Sequence, residues 1–335
     1  MYLSSAQELK YFTHFETITS ELLDHSSMTD IPYKVIFSPL SCPPFRAPIH
    51  FDYICMNLNI SYNSIMSRLK QSAKSLIKFF GLGQAVDKSR FYLQYLQQKE
   101  KIKAFKEAHP DVPIPDPFMI YETFRLDYQR YYDSGKADAL HIYEEVKPFI
   151  SLEQKAILDW GCGPGRIIRH FPAIVPSAQF FASDYNKEYV QWCQQNLKAI
   201  NFKENQLSPP IPFPADSIDF AYAISIFTHL SEEKHFEWID EIYRLLKPGG
   251  IFYFTAHGDV TRRNLLDNEL AQYDKGELVE RGNVKEGNRM FTAYHPKPFI
   301  EKLVSGKFEI LKHRAGIPKS WGLEQDVWII QKVAE

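Results

Sequence analysis

The period of apolar and polar positions changes several times along the chain. Met1 to Leu23 offers Leu9, Phe12, Ile18 and Leu22 as apolar contacts of a helix. From Ile31 to Ile60 the chain is Pro-rich and aromatic, and Pro32, Pro39, Pro43, Pro44 and Pro48 forbid a helix there. Tyr33 to Phe37 and His50 to Leu58 are predicted strands of a small β unit. Between Tyr62 and Phe80 the period becomes helical. Tyr62, Ile65, Met66, Leu69, Ala73, Leu76, Ile77 and Phe80 share one face, with Arg68, Lys70, Lys74 and Lys78 on the rest. Gly81-Leu82-Gly83 ends that helix. A second helical stretch, Ser89 to Ala108, carries Lys99, Lys101, Lys103 and Lys106, and His109 to Pro117 reads as a stiff, extended linker.

Beyond the linker, short apolar runs alternate with helical ones. Ile157 to Asp159 and Gln179 to Asp184 are strand-like, Ile211 to Leu230 holds a Pro-rich loop leading into an almost wholly apolar strand, and Ile251 to Ala256 is another. Asn186 is placed to cap a helix through Leu197. Ser231 to Leu246 reads as an amphipathic helix with Phe236, Ile239, Ile242, Tyr243 and Leu246 on one stripe. Lys307 to Arg314 and Asp326 to Val333 pattern as a terminal strand pair joined through a Gly/Pro loop. Strands alternating with helices predict an α/β fold with a mostly parallel sheet. No internal repeat is found.

Composition narrows the class. The 335 residues suffice for one large or two ordinary domains, and hydrophobic (44%) and charged (24%) contents are those of a globular protein. A net charge of −2 gives no global basicity for nucleic acid. Cys42, Cys55, Cys162 and Cys193 lack metal-ligand spacing and suggest no disulfide framework, so no metal site is expected. Met1 to Lys10 lacks the basic and apolar regions of a secretory signal, and no apolar run is long enough to span a bilayer, so the expected location is the cytoplasm.

The chemistry concentrates in Ile157-Leu-Asp-Trp-Gly-Cys-Gly-Pro-Gly-Arg166. An apolar strand ends in Asp159 and enters a turn with Gly161, Gly163 and Gly165, and Arg166 to Phe171 is predicted to start a helix behind it. Glycine lets a ligand lie against the backbone and tolerates positive φ. A helix start turns its free N–H groups to the same spot. The acid precedes the glycines, unlike the dinucleotide pattern G-x-G-x-x-G with its later acid.

This decapeptide resembles the class I S-adenosylmethionine-dependent methyltransferase family, and the likeness runs in order over roughly Ala137 to Glu335. Gln179 to Asp184 stands where the family's ribose-binding acid lies. Ile211 to Leu230 resembles its fourth-strand region, Leu246-Lys-Pro-Gly-Gly250 its approach to the fifth strand, and the last two strands its terminal antiparallel pair. The resemblance implies a Rossmann-like, seven-stranded, mostly parallel sheet with an antiparallel last strand. It also implies S-adenosylmethionine as cofactor and S-adenosylhomocysteine as product. On it, Asp159, Gly161, Cys162, Gly163, Gly165 and Arg166 hold the methionine end and the ribose side. Asp184 takes the ribose hydroxyls, since a carboxylate accepts both at once. Tyr185 flanks the adenine, Asn205 or Gln206 reaches its edge, and Ser225 and Phe227 after the fourth strand complete the set. Cys162 reads as a small residue that fits the turn, because no base adjoins it in sequence.

Candidate acceptor-side groups are His229 after the fourth strand, His257 and Asp259 after the fifth, and Tyr294 and His295. His229 leads as base, since a histidine near its ordinary pKa suits proton removal at neutral pH. Residues 258–295 look like a lid inserted over the pocket. Residues 1–117 are expected to form a smaller α+β accessory domain and residues 118–335 the methyltransferase domain. The aromatic segment Ile120 to Gly135 has two readings, a cover over the pocket or plain helix packing. The basic helix 62–80 is available for homodimer or membrane-surface contact, although packing with solvated lysines is the commoner use of such a face. The expected acceptor is a small-molecule or glycan hydroxyl, with no nucleic acid, since the N/D-P-P-Y/F loop is absent after the fourth strand. The alternatives are methylation of a protein or nucleic-acid nitrogen, aminopropyl transfer and a non-catalytic cofactor-binding scaffold. The intact glycine turn argues against the last, and the non-acidic Phe227-Thr-His-Leu230 against aminopropyl transfer.

Overall fold

The computed structural model describes residues 83–282, 286–287, 291–320 and 322–333. The helix expected in Met1 to Leu23, the small β unit and the basic helix 62–80 lie outside these residues. The chain divides into two units, residues 1–90 and 91–335. Of the first, the described residues 83–90 form the beginning of helix α1 (Gly83–Ala108), six residues ahead of the predicted start at Ser89.

In the second unit, α2 (Pro117–Thr123) and α3 (Tyr128–Val146) lead into the sheet. Pro117 opens α2 instead of ending an extended linker, because proline's fixed φ and missing N–H suit the first turn of a helix. The Asp127 side chain caps α3 by accepting the Arg130 N–H at 2.9 Å. Strand β1 (Ala156–Trp160) is buried along its whole length. The segment behind the glycines then departs from the expected helix. It forms a 3-10 turn at Ile168–His170 and only a short α4 (Phe171–Ile174). Pro172 has no N–H to offer the Ile168 carbonyl, so the α ladder cannot extend back to Arg166.

Strand β2 (Gln179–Asp184), helix α5 (Lys187–Asn196) and strand β3 (Ile200–Glu204) follow. Asn186 caps α5 as expected, accepting from the Glu188 and Tyr189 N–H groups. Then come β4 (Ile218–Ala223), α6 (Glu232–Leu245) and β5 (Leu246–Ala256), which takes in the Leu246 to Gly250 approach. The inserted segment holds α7 (Asp267–Asp274) and a small antiparallel pair, β6 (Val279–Arg281) with β7 (Thr292–Tyr294). The chain ends through α8 (Lys297–Val304), β8 (Phe308–Arg314), the two-residue strands β9 (Pro318–Lys319) and β10 (Gly322–Leu323), and β11 (Asp326–Lys332).

The main sheet has seven strands in the order β3-β2-β1-β4-β5-β11-β8. Pairing is parallel from β3 through β5, and β11 is antiparallel to both β5 and β8, so β11 alone is reversed. The predicted Rossmann-like α/β sheet with an antiparallel last strand is therefore the observed one. Alternation along the strands builds a core on each face. Leu158, Trp160, Phe252 and Phe254 pack under α6 and α8 with Trp238, Ile239 and Phe299. Ile157, Ile251 and Tyr253 pack on the other face with Ile142, Phe171 and Val190. The chain leaves β1 toward β2 and later returns to β4 on its other side. That reversal of strand order opens a crevice at the carboxyl edge between β1 and β4. No helix among the described residues is long and apolar enough to cross a membrane.

Trp328 ties the reversed strand into the core, stacked on His313 with ring centroids 3.9 Å apart and facing Phe254 at 6.3 Å. Trp328→Ala is expected to destabilise the fold by about 3–5 kcal/mol, the cost of emptying a buried aromatic site. Urea unfolding followed by circular dichroism measures it, and a loss below about 1 kcal/mol would mean that the sheet collapses around the gap.

Candidate functional site

The glycine turn is built by the end of β2. The Gly161 and Cys162 N–H groups both donate to the Ser183 carbonyl, at 2.8 and 3.0 Å. Gly163 N–H donates to Asp184 Oδ2 at 2.8 Å, and Asn186 N–H to Asp184 Oδ1 at 2.8 Å. All three glycines have positive φ: +77° at Gly161, +53° at Gly163 and +73° at Gly165. At Gly161 a Cβ would meet Ile226 Cδ1 at 2.1 Å, so bare backbone is required both by conformation and by space. From the opposite side, Tyr131 of α3 donates its hydroxyl to the Pro164 carbonyl at 3.0 Å, and Gly135 leaves room for the Arg166 carbonyl. The aromatic segment thus covers the turn, and it does so by packing as helices: Ile120, Tyr121, Leu126, Tyr128 and Tyr131 share a cluster with Ile102 and Phe105.

A cleft opens at this edge, walled by Trp160, Gly161, Asp184, Tyr185, Asn205, Gln206, Leu207, Ile226, His229, Leu230, Trp238 and Gly287. Six predicted site residues therefore meet in one place: Gly161, Asp184, Tyr185, Asn205, Gln206 and His229. Asn205 is buried. Its Nδ2 donates to the Gln206 carbonyl at 2.7 Å, while its Oδ1 has no partner. Tyr185 is half exposed and donates to the Gly287 carbonyl at 2.9 Å. Gly287 N–H in turn donates to the His229 carbonyl at 2.9 Å, which ties the inserted segment to the cleft wall.

Asp159, Cys162, Gly163, Gly165, Arg166, Ser225 and Phe227 are not part of the cleft wall. The Arg166 guanidinium turns to α3, bonding Asp138 at 2.6 Å and Ser134 at 3.1 Å, and lies over the Phe124 ring. Its long side chain follows the opposite charge. Phe227 is fully buried among Trp160, Phe252, Phe254 and His235, because the 3-10 turn Phe227–His229 points it into the core. Cys162 is buried with Sγ toward the Gly163 carbonyl, and burial pushes its thiol pKa up. Ser225 stands just behind the cleft, at φ +62°.

Burial sets the electrostatics. Asp184 is raised to about 6 by desolvation, which its backbone N–H donors only partly offset. Asp159 is raised to about 7, first by desolvation and further by the Asp184 charge, against the hydrogen bond from Tyr222 Oη at 2.8 Å. His229 is held below its ordinary value by burial. Its Nδ1 lies 2.7 Å from the Phe291 carbonyl. A carbonyl only accepts, so Nδ1 carries the proton and Nε2 keeps a lone pair. His257 is similar, with Nδ1 3.1 Å from the Ala293 carbonyl and a pKa lowered by burial to about 4. His295 is buried, with Nε2 2.9 Å from Nε2 of His235, whose Nδ1 bonds the Ser231 carbonyl. Tyr294 is buried beneath the Arg281 guanidinium, and Asp259 accepts from Tyr273 Oη. Unlike His229, the other acceptor-side candidates His257, Asp259, Tyr294 and His295 are not part of the cleft wall. Among the described residues, no group of three or more His, Cys, Asp or Glu could hold a metal.

Sequence reasoning missed Tyr222, Trp160, Leu207, Trp238, Gly287 and His235. Tyr222 and Trp160 read as core residues of apolar strands, and nothing in the local pattern marks His235 or Gly287.

The chemistry of the donors fits an adenosine-bearing cofactor. Asp184 keeps acceptor capacity beyond its two N–H partners, Asn205 Oδ1 is an orphaned buried acceptor that an amino group would satisfy, and the turn at Gly161 admits close approach.

A stability effect follows from the two acids. Both have folded-state pKa values above the unfolded value of about 3.9, so the folded chain holds extra protons between about pH 4 and 7. Their contribution to stability falls as pH rises through that window and is flat above it. Asp159→Asn should lose less stability than the wild type between pH 4 and 8 in urea titrations; parallel profiles would show that Asp159 stays ionised in the fold.

Residues 157–250 match the family model described as a methyltransferase domain. The malonyl-(acyl-carrier protein) O-methyltransferase of Halalkalibacterium halodurans is 28% identical over 135 residues, 38% of this chain and 49% of that protein. The 24-methylenesterol C-methyltransferase 3 of Arabidopsis thaliana is 29% identical over 168 residues, 47% of this chain and 45% of its own. The tRNA N(3)-methylcytidine methyltransferase of Schizosaccharomyces pombe is 29% identical over 132 residues, 35% of this chain and 42% of its own. The chain spans about half the length, or less, of these curated relatives. From the first strand to the start of the fifth, the chain carries a methyltransferase domain.

Proposed function

We propose that this protein is an S-adenosylmethionine-dependent methyltransferase acting on a hydroxyl of a small molecule or sugar. The observation that carries the cofactor half is the pairing of the Asp184 carboxylate, at the end of β2, with the Gly163 N–H of the turn that leaves β1. Asp184 holds the ribose diol, Asn205 Oδ1 accepts from the adenine amino group, and Tyr185 flanks the ring. When bound, the cofactor supplies a methyl carbon made electrophilic by its sulfonium. The protein's part is to align the acceptor with that carbon, exclude water and take a proton.

His229 suits the last task. It stays neutral at pH 7, with Nδ1 engaged by the Phe291 carbonyl and Nε2 free to accept. Methylation of a hydroxyl releases its proton, and because a hydroxyl is not ionised at pH 7 it needs a base at hand, which the neutral imidazole at the cleft wall supplies. The relatives include O-, C- and N-methyltransferases, so the hydroxyl reading rests on His229 and not on them.

Calorimetric titration with S-adenosylhomocysteine tests the cofactor half. Asp184→Ala is expected to weaken binding by about 1–3 kcal/mol, the value of a charged hydrogen-bond acceptor. Wild-type affinity should rise as pH increases through about 6, where the Asp184 carboxylate ionises, and the rise should vanish in Asp184→Asn. Equal affinity in a folded Asp184→Ala variant would remove Asp184 from the site. His229→Ala should lower turnover of an O-methyl acceptor found by metabolite screening, with cofactor affinity spared; full activity would exclude it as base.

A further inference from the structure

Ser225 is one of three non-glycine residues at positive φ among the described residues, with φ +62° immediately after β4. A side chain there costs on the order of 1–3 kcal/mol, so something must hold it. The holder is a ring of hydrogen bonds whose directions are all fixed by chemistry. Ser225 N–H donates to Thr255 Oγ1 at 2.8 Å, and the Thr255 hydroxyl donates to Gln325 Oε1 at 2.6 Å. Gln325 Nε2 donates to Ser225 Oγ at 2.8 Å. Thr228 Oγ1 gives its proton to the Ser225 carbonyl at 2.6 Å, which leaves the Ser225 hydroxyl to donate to Thr228 Oγ1 at 2.8 Å. The ring begins and ends on Ser225, and Gln325 is its one member from the loop before β11.

The conformation so held has a consequence at the cleft. It turns the chain out of β4 into the 3-10 turn Phe227–His229, which sends Phe227 into the core and puts Ile226 and His229 on the cleft wall. Ile226 then occupies the space that a Cβ on Gly161 would need. The fit between the glycine turn and the segment after β4 therefore depends on the backbone angle at Ser225.

We infer that Gln325 is a positioning residue for the cofactor cleft, acting through the left-handed backbone of Ser225. It is not part of the cleft wall. Its side-chain amide joins the antiparallel end of the sheet to the segment after β4 and fixes where Ile226 and His229 stand. The inference rests on the reading of the cleft as a cofactor site.

The test titrates S-adenosylhomocysteine into the full chain and its variants, with folding checked by circular dichroism. Gln325→Leu removes both bonds. Gln325→Glu keeps the volume and removes only the donor to Ser225, which covers the case of a leucine variant that does not fold. Each is expected to weaken binding by roughly tenfold, within the range set by the strain at a left-handed residue. Ser225→Gly adopts the same angle without strain, so in a Ser225→Gly chain either Gln325 variant should bind within about threefold of the Ser225→Gly parent. Unchanged affinity in folded Gln325 variants overturns the inference while leaving the cofactor reading intact. Weakened binding that glycine does not rescue also overturns it, since Gln325 would then act by another route. A wild-type chain that does not bind S-adenosylhomocysteine removes the cofactor reading and the inference with it.

Discussion

A backbone that must lie against a ligand cannot be fixed by its own side chains, and the turn from Gly161 to Gly165 meets that constraint by borrowing an anchor. The end of β2 supplies it twice, through the Ser183 carbonyl and the Asp184 carboxylate. Asp184 both locks the Gly163 N–H and faces the cleft, so turn geometry and ligand recognition share one carboxylate. Parallel register sets this up. Trp160 pairs opposite Ser183, and the last residue of β2 therefore falls level with the turn leaving β1.

The price of that arrangement is electrostatic. Burial raises the pKa values of both Asp159 and Asp184, and the Asp184 charge raises that of Asp159 further. One donor from Tyr222 and two backbone N–H groups offset part of the cost, and water would otherwise supply the rest. The histidines show the opposite sign of the same effect. Burial keeps His229, His257 and His295 neutral, and the carbonyls of Phe291 and Ala293 decide which ring nitrogen of His229 and His257 carries the proton. The inserted segment therefore does more than meet the cleft wall: its backbone sets the tautomer of the leading base candidate.

Around this centre the fold uses sheet geometry for placement and helices for enclosure. α2 and α3 close on the glycine turn from one side, with Thr123 Cγ2 only 3.5 Å from where a Cβ on Gly163 would sit. Gly287 bridges Tyr185 and His229 from the other. The reversed strand β11 buries Trp328 and brings the loop carrying Gln325 to the carboxyl edge, where a strand running the other way would have delivered its far end.

By itself the sequence determined the parts that depend on neighbours a few positions away. Strand β2 spans Gln179–Asp184 as its apolar run ending in an acid predicts, Asn186 caps α5, and the glycine turn stands at the end of β1, because period, capping and turn chemistry are short-range. It also marked Asp184, Asn205, Tyr185 and His229, through a family pattern of spacings. The helix expected at Arg166 failed locally, on Pro172, and Arg166 and Phe227 left the cleft because an ion pair and a core offered better partners. What only the tertiary structure decided are pairings between distant residues: Tyr222 on Asp159 across 63 positions, the Phe291 carbonyl on His229 across 62, His235 on His295 across 60, and Gln325 on Ser225 across 100. No local period constrains such partners. They are set by which strand edges the sheet order brings together, and a buried polar atom must then bond whatever donor or acceptor arrives there.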